Sequence, residues 1–250
     1  MKIPVANKPL KETVIDKSML GDVRSWSYSS LKTFESCPYR LYIQKVKKIK
    51  EPSGKAAERG SLIHQEAEDY VRGELGEQPE SLKKFKSEFE YLRQGFIDAK
   101  VELEGEWGFT LDWETTGWLM GNTWARIKLD ALVQEDETSC RVIDYKTGKK
   151  FGNEIAHGQQ GLVYAIATFL RYPHIEHART EFWYLDKGET TIKDYSRATA
   201  MEFLPGLFRR AVALTTCTSW EPKPSKDACR WCDYKNGTEE SPAPCKWGVV

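Results

Sequence analysis

The sequence has no excess of either charge. Its 37 lysines and arginines balance 37 aspartates and glutamates across 250 residues. A neutral chain exerts no global pull on nucleic acid, so any basic surface has to be local. No apolar run approaches the ~20 residues that a membrane-spanning helix needs, so no membrane partner is expected. The opening stretch, MKIPVANKPLKETVIDKSML, has no apolar leader core and no small-residue cleavage site. An intracellular, cytoplasmic protein is therefore expected. Internal repeats and low-complexity tracts are absent, which argues against solenoids and long disordered tails. There is also no Gly-x-x-x-x-Gly-Lys-Ser/Thr loop, so no helicase-type motor is built in.

What is present is 40% hydrophobic and 30% charged residues. That composition suits one compact domain, or one domain with an added layer, large enough to bury a core. The chain has six cysteines. In a reducing compartment these are expected as thiols or metal ligands rather than disulfides.

Residues 1–26 read as a polar arm. SYSSLKTFESCPYRLYIQKV, 27–46, has helical spacing at Leu31, Phe34, Tyr39, Tyr42 and Val46. Ser29 or Ser30 is expected to cap it, and Pro38 to kink or split it. A basic loop with Gly and Pro, 47–60, leads to a second helix over 61–75, capped by Ser61. A third helix covers 80–100. The period then changes from helical to alternating. VELEGEWGFTLDWETT and GWLMGNTWARIKLDALVQED read as two strands joined near Gly117, and CRVIDYK as a third. A helix over 152–173 follows, stopped by Pro173. Two strands turn at Lys187-Gly188, and a last helix is disturbed at Pro205-Gly206. Residues 218–250 form a tail rich in Cys, Pro and Trp. This order predicts an α/β sandwich around a small mixed sheet, with helical additions at the N-terminus.

The chemistry concentrates at the strand ends. In CRVIDYKTG, Asp144 and Lys146 are two apart and share a strand face. In RIKLDALV, Asp130 sits among Ile127, Leu129, Ala131 and Leu132, where a carboxylate is costly unless it is paired or holds a cation. Glu106 opens the strand before, with Glu104 two residues away on the same face. Carboxylates converging from adjacent strands repel one another, and together they suit a hard divalent cation with oxygen ligands. A lysine beside such a cation can hold water or stabilise developing charge on a phosphate. His64 follows Gly60 by four residues. Gln160 and Tyr164 are also four apart, hence on one face of the helix after Asp144.

The ordered set Gly60-x-x-x-His64, Glu106, Asp130, Asp144-x-Lys146 and Gln160-x-x-x-Tyr164 resembles the RecB-type branch of the P-D-(D/E)-x-K nuclease superfamily. The opening SYSSLKTFESCPYRLYI resembles that branch too, and the resemblance spans roughly 27–247. It implies a restriction-endonuclease-like core: an α/β fold whose small mixed central sheet is flanked by helices, with N-terminal helical additions and a Cys-rich C-terminal tail. The expected units are the arm, a nuclease domain over 27–217 and the tail over 218–250. The nuclease domain divides into a helical part, 27–100, and a catalytic core, 101–217.

The resemblance also implies roles. Asp130 and Asp144 would bind Mg²⁺ or Mn²⁺ with the carbonyl of Tyr145, and His64 would be a further ligand. Lys146 would position the attacking water. Gln160 and Tyr164 would contact DNA or support the site. The expected activity is a metal-dependent DNA exonuclease acting at ends or on single strands and leaving a 5′-phosphate. It would act as a stand-alone nuclease, or take its processivity from a helicase, annealing or integrase partner or from a homo-oligomer. A structure-specific endonuclease on the same fold is one rival reading. A catalytically silent DNA-binding assembly subunit is the other.

Cys229-x-x-Cys232 and the later Cys245 form a soft-ligand pattern suited to zinc or an iron–sulfur cluster. A subset of RecB-type nucleases joins one N-terminal cysteine and three C-terminal ones on a four-iron cluster. Cys37, Cys229, Cys232 and Cys245 match that layout, with zinc as the alternative. Cys140 and Cys217 are expected to be packing residues. Trp26, Trp220, Trp231 and Trp247 are candidates for base stacking or for packing around the tail. The basic stretch 45–55 and Arg209-Arg210 are candidate phosphate contacts.

Overall fold

The computed structural model describes residues 15–51, 54–148, 150, 152–235 and 245–249. The first fourteen residues of the arm, and the segment 236–244 that precedes Cys245, lie outside them.

Cys37 and Pro38 divide the first helical segment into α1 (Tyr28–Ser36) and α2 (Pro38–Lys45). Proline opens α2, where its missing N–H costs nothing. The cap of α1 is Ser27, not Ser29 or Ser30. Ser27 and Ser30 exchange side-chain-to-backbone bonds in a capping box. The second helix also starts earlier than expected. α3 spans Lys55–Arg72, because Ala56, Ala57 and Glu58 propagate a helix well. His64 therefore sits in mid-helix rather than on a first turn. A 3₁₀ segment, Glu80–Phe85, leads into α4 (Lys86–Ile97).

The strands are β1 (Val101–Phe109), β2 (Thr115–Thr116), β3 (Ala125–Gln134) and β4 (Ser139–Lys146). After α5 (Glu154–Arg171) come β5 (His177–Tyr184) and β6 (Glu189–Ser196). The β5–β6 turn places Gly188 at φ +69°, a left-handed conformation that favours glycine. The last helical stretch is broken before Pro205 into α6 (Arg197–Met201) and α7 (Leu204–Thr215). The tail is not all loop: it holds α8 (Lys226–Arg230) and a 3₁₀ turn, Asp233–Lys235.

One six-stranded mixed sheet results, in the order β2-β1-β3-β4-β5-β6. Only β4 and β5 pair in parallel. A parallel pair needs a long crossover, and α5 provides it. One sheet face is covered by α5, α7 and Leu31 of α1, the other by α3 and α4. No helix among the described residues is long and apolar enough to cross a membrane.

The arm's inner half belongs to this core. Trp26 bridges in parallel to Ala125 and is buried against Trp113 and Trp124. It is not free to stack on bases.

Candidate active site

The site forms where β3 and β4 run side by side. Their pairing joins Ala131 to Ile143. Asp130 and Asp144 stand one residue beyond this last pair, one on each strand. Both are buried, at 8% and 5% exposure. At this step a side chain replaces the ladder bond: Tyr145 donates its backbone N–H to Asp130 Oδ2 at 2.5 Å.

Each acid is held by a different helix, one from each sheet face. From α3, His64 Nδ1 lies 3.1 Å from Asp130 Oδ1. Gly60, one turn earlier, passes Thr147 so closely that a Cβ there would stand 3.1 Å from Thr147 Oγ1. From α5, Tyr164 donates its hydroxyl to Asp144 Oδ1 at 2.6 Å, and Gln160 Nε2 reaches the same oxygen at 3.2 Å. Gln160 also bonds Tyr164 at 2.7 Å and accepts from Lys146 Nζ at 3.2 Å. Lys146 Nζ stands 2.5 Å from Asp144 Oδ2. That oxygen is buried and has no partner in hydrogen-bond geometry; the contact is an ion pair.

Electrostatics follow the burial. Desolvation pushes the Asp144 carboxyl up, and the Asp130 charge adds to it while Lys146 opposes. Burial also drives the Tyr164 and Tyr145 hydroxyls well up, and nearby carboxylates reinforce this. Burial disfavours the charged form of His64. Its bond to Asp130 and the charges of Asp130 and Asp144 outweigh that, so its pKa is raised.

On β1 the structure separates the two glutamates. Gly105 pairs with Leu129 and Leu103 with Ala131, so Glu104 comes level with Asp130. Burial raises the Glu104 pKa, Lys128 lowers it, and the charges of Asp130 and Glu68 raise it further. Lys128 binds Glu104 at 2.6 Å. Glu106 pairs across from Lys128 itself and is about half exposed. Glu104 also has φ +51°, unusual for a non-glycine residue and a form of strain that gathers at functional sites. Sequence spacing left Glu104 and Glu106 as alternatives, and it did not single out Glu68. The positive φ could not be read from the sequence. Glu68 lies one turn after His64 and was within reach of a helical-face argument.

The residues fit a hard cation. Asp144 Oδ2 is a buried oxygen with no hydrogen bond; desolvation and the Asp130 charge both penalise its charged form, and Lys146 is the positive charge that opposes them, so an added cation would favour the carboxylate further. Among the described residues no three His, Cys, Asp or Glu side chains already stand as a formed metal-binding group.

A groove leads away from Gln160 and Tyr164 past the start of α1 to Trp118. Arg24, Lys32, Lys45, Arg126 and Lys128 line it against one acid, Asp22. In a chain of zero net charge this is a local basic surface. Of the other basic candidates, Arg210 is engaged by Glu35 through two bonds of 2.6 and 2.8 Å.

Residues 25–236 match the family model of the PD-(D/E)XK nuclease superfamily. The chain belongs to that superfamily. The resemblance drawn from the sequence therefore holds for the superfamily and for its restriction-endonuclease-like α/β fold. No curated protein matches the chain. Among solved structures it is similar to a candidate exonuclease from Eubacterium rectale, at 14% identity and a TM-score of 0.46, covering 96% of this chain and 95% of that one. It is also similar to an alkaline exonuclease from Laribacter hongkongensis, at 11% identity and a TM-score of 0.37, covering 77% and 86%. Nucleases of this superfamily generally use divalent cations.

The four cysteines of the layout line one small cavity between α2 and the tail of this PD-(D/E)XK chain. Cys229 and Cys232 are buried, whereas Cys37 and Cys245 are partly exposed. Burial raises the Cys232 thiol. Cys140 is buried in the main core. Trp247 packs edge-on against Tyr39, and Trp220 against Phe34. Trp231 is 75% exposed.

Proposed function

We propose that this chain is a Mg²⁺- or Mn²⁺-dependent deoxyribonuclease, acting as an exonuclease at DNA ends or on single strands. The observation that carries the reading is the meeting of buried Asp130 and Asp144 with Lys146 at the mouth of a basic groove. The nuclease unit is taken as 27–217, with the helical part 27–100 supporting the core 101–217 and the tail 218–250 closing beside Cys37.

Asp130, Asp144 and the Tyr145 carbonyl would hold the cation, with His64 beside Asp130 as a further ligand. When bound, the cation supplies a Lewis acid at the phosphate and lowers the pKa of water. The protein's own groups do the rest. Tyr164 and Gln160 occupy Asp144 Oδ1 and so leave Oδ2 to face Lys146. Gln160 also holds Lys146, which would orient the attacking water and counter the charge growing on the phosphate. Glu104 is favoured over Glu106 as the third acid, because it lies level with Asp130.

The Cys37, Cys229, Cys232 and Cys245 thiols share this cavity with no Asp, Glu or His among the described residues of its lining, which suits a four-iron cluster better than a hard cation, with zinc as the alternative. It would tie the tail to α2.

The test uses anaerobically purified protein with end-labelled linear single- and double-stranded DNA in Mn²⁺, Mg²⁺ or EDTA, beside Asp144→Ala. Metal-dependent loss of label that disappears in the variant is expected. Circular single-stranded DNA should stay intact; its cleavage would replace the exonuclease reading by an endonuclease. Activity unchanged in Asp144→Ala would overturn the site.

A further inference from the structure

The loop between β2 and β3 presents an unusual surface. Leu119 is 81% exposed and Met120 59%. Adjacent large apolar side chains this open are unfavourable in water unless something covers them. The loop that carries them is not slack. Thr123 Oγ1 donates to the Gly117 carbonyl at 2.7 Å, and Thr123 N–H to the Met120 carbonyl at 3.0 Å. Thr116 bonds Asn122 at 3.0 Å. A Cβ at Gly117 would lie 3.0 Å from Met120 Cγ, so the turn is closed around its own side chains. The pair is held outward by a braced loop.

Its base is tied to the groove. Arg126 donates Nε–H to the Trp118 carbonyl at 3.0 Å, and its guanidinium lies 5.8 Å from the Trp118 ring. Trp118 and Arg126 line the same groove as Gln160 and Tyr164, and its basic wall complements a phosphate backbone. A DNA chain laid along that wall would meet Trp118, and Leu119 and Met120 follow Trp118 directly in the chain, exposed outside the groove's own lining.

We infer that Leu119 and Met120 form an apolar pin that inserts at the end of a DNA duplex and unstacks the terminal pair. One strand then enters the basic groove toward Asp144 and Lys146. Trp118 offers an aromatic face to the separated base. Unstacking a step is unfavourable, and burying two apolar side chains against bases offsets part of that cost. This inference rests on the nuclease reading and extends it: the substrate class becomes duplex DNA with a free end.

The first test does not need turnover. In an Asp144→Ala background with Mg²⁺, a duplex carrying 2-aminopurine at its terminal pair is titrated with protein. Unstacking raises the fluorescence of that base. The rise is expected with Leu119 and Met120 in place, and at least a tenfold smaller amplitude with Leu119→Ser/Met120→Ser. An equal rise in both proteins, or none in either, overturns the pin. The second test compares the loop variant with the parent protein on labelled duplex and single strands. The ratio of duplex to single-strand degradation should fall at least tenfold. A uniform fall, or no change, counts against the pin. Loss of self-association in the loop variant at unchanged fluorescence would assign the pair to a protein contact instead. Anisotropy of the same titration reads binding separately: binding without a fluorescence rise overturns the pin alone, whereas no binding at all overturns the nuclease reading and the pin with it.

Discussion

The Asp144 carboxylate divides its oxygens between two tasks. Oδ1 receives Tyr164 and Gln160, while Oδ2 faces Lys146 without a hydrogen bond in good geometry. Removing the Tyr164 hydroxyl leaves Gln160 alone to orient the acid. Tyr164→Phe keeps the ring packed and should lower nuclease activity by ~10–100-fold, the usual effect of losing a partner that orients a ligand. Saturating Mn²⁺ should restore part of the loss if the defect lies in cation affinity, and a metal titration reads this directly. An unchanged rate at limiting metal would show that Oδ1 needs no such support. The two β1 acids give a sharper comparison. Glu104→Gln removes a charge level with Asp130, whereas Glu106→Gln removes one that is half exposed beside Lys128. Activity should fall by ~10–100-fold in the first and far less in the second. The reverse order would return the role to Glu106.

At the scale of elements, the approach of α5 to the sheet decides whether Gln160 and Tyr164 reach Asp144. Gly161 sits between them, and a Cβ there would lie 2.7 Å from Thr180 Oγ1 and 3.2 Å from a Phe182 ring carbon. Gly161→Ala should therefore cost ~1–3 kcal/mol through overpacking. That would appear as a lower denaturation midpoint, together with reduced activity. A variant as stable and active as the parent would show that α5 has slack. The four-residue spacing of Gln160 and Tyr164 was legible in the sequence, because α5 is a regular helix. The strand acids were only partly legible. Leu103 and Ala131 pack on the α3–α4 face, yet Trp107 and Leu129 pack on the opposite face. These residues are all odd-numbered, so the strict two-residue alternation fails between them. The break falls at Glu104 with its positive φ. No pattern of residue types announces that conformation, and so the choice between Glu104 and Glu106 required the structure. The helix starts were missed for a milder reason. Ser27 and Gly54 cap one or more residues outside the apolar repeat, and the exposed first turn of α3 is carried by helix propensity, which leaves no apolar periodicity to read.

Over the whole molecule, His157 links groove chemistry to stability. Its Nδ1 lies 2.7 Å from the Tyr184 hydroxyl, and its ring stacks on Phe182. Burial, reinforced by the charges of Lys146 and Lys32, lowers its pKa from 6.5 to about 4. The folded protein therefore binds fewer protons here than the unfolded chain. The associated stability is complete above pH ~6.5 and is lost as the pH falls toward 4. Because His157 is only partly buried, solvent screening makes the effect modest. Urea midpoints measured across that range should fall less steeply for His157→Gln than for the parent. Parallel curves would show that the imidazole titrates alike in both states.

The tail tests how far the fold depends on its ends. Among the described residues, Trp220 reaches Asp22, Lys223 reaches Cys37 Sγ through its backbone N–H and the Glu35 carbonyl through its ammonium, Arg40 reaches the Trp231 carbonyl and Tyr234 the Ile49 carbonyl. Cys37 lies between α1 and α2, and Cys229 and Cys232 lie in and just after α8, so a metal across them would close a loop of nearly the whole chain. Closing a loop of that length restricts the unfolded chain strongly, and bound metal adds its own binding free energy. Cys37→Ala should therefore lower thermal stability in anaerobically prepared protein and abolish the visible absorbance expected of an iron–sulfur cluster. In protein stripped of metal the same substitution should change stability little. If the two preparations respond alike, Cys37 is a packing residue and the tail is held by its hydrogen bonds alone. If zinc replaces iron in metal analysis while the stability difference remains, the tie stands with the other metal.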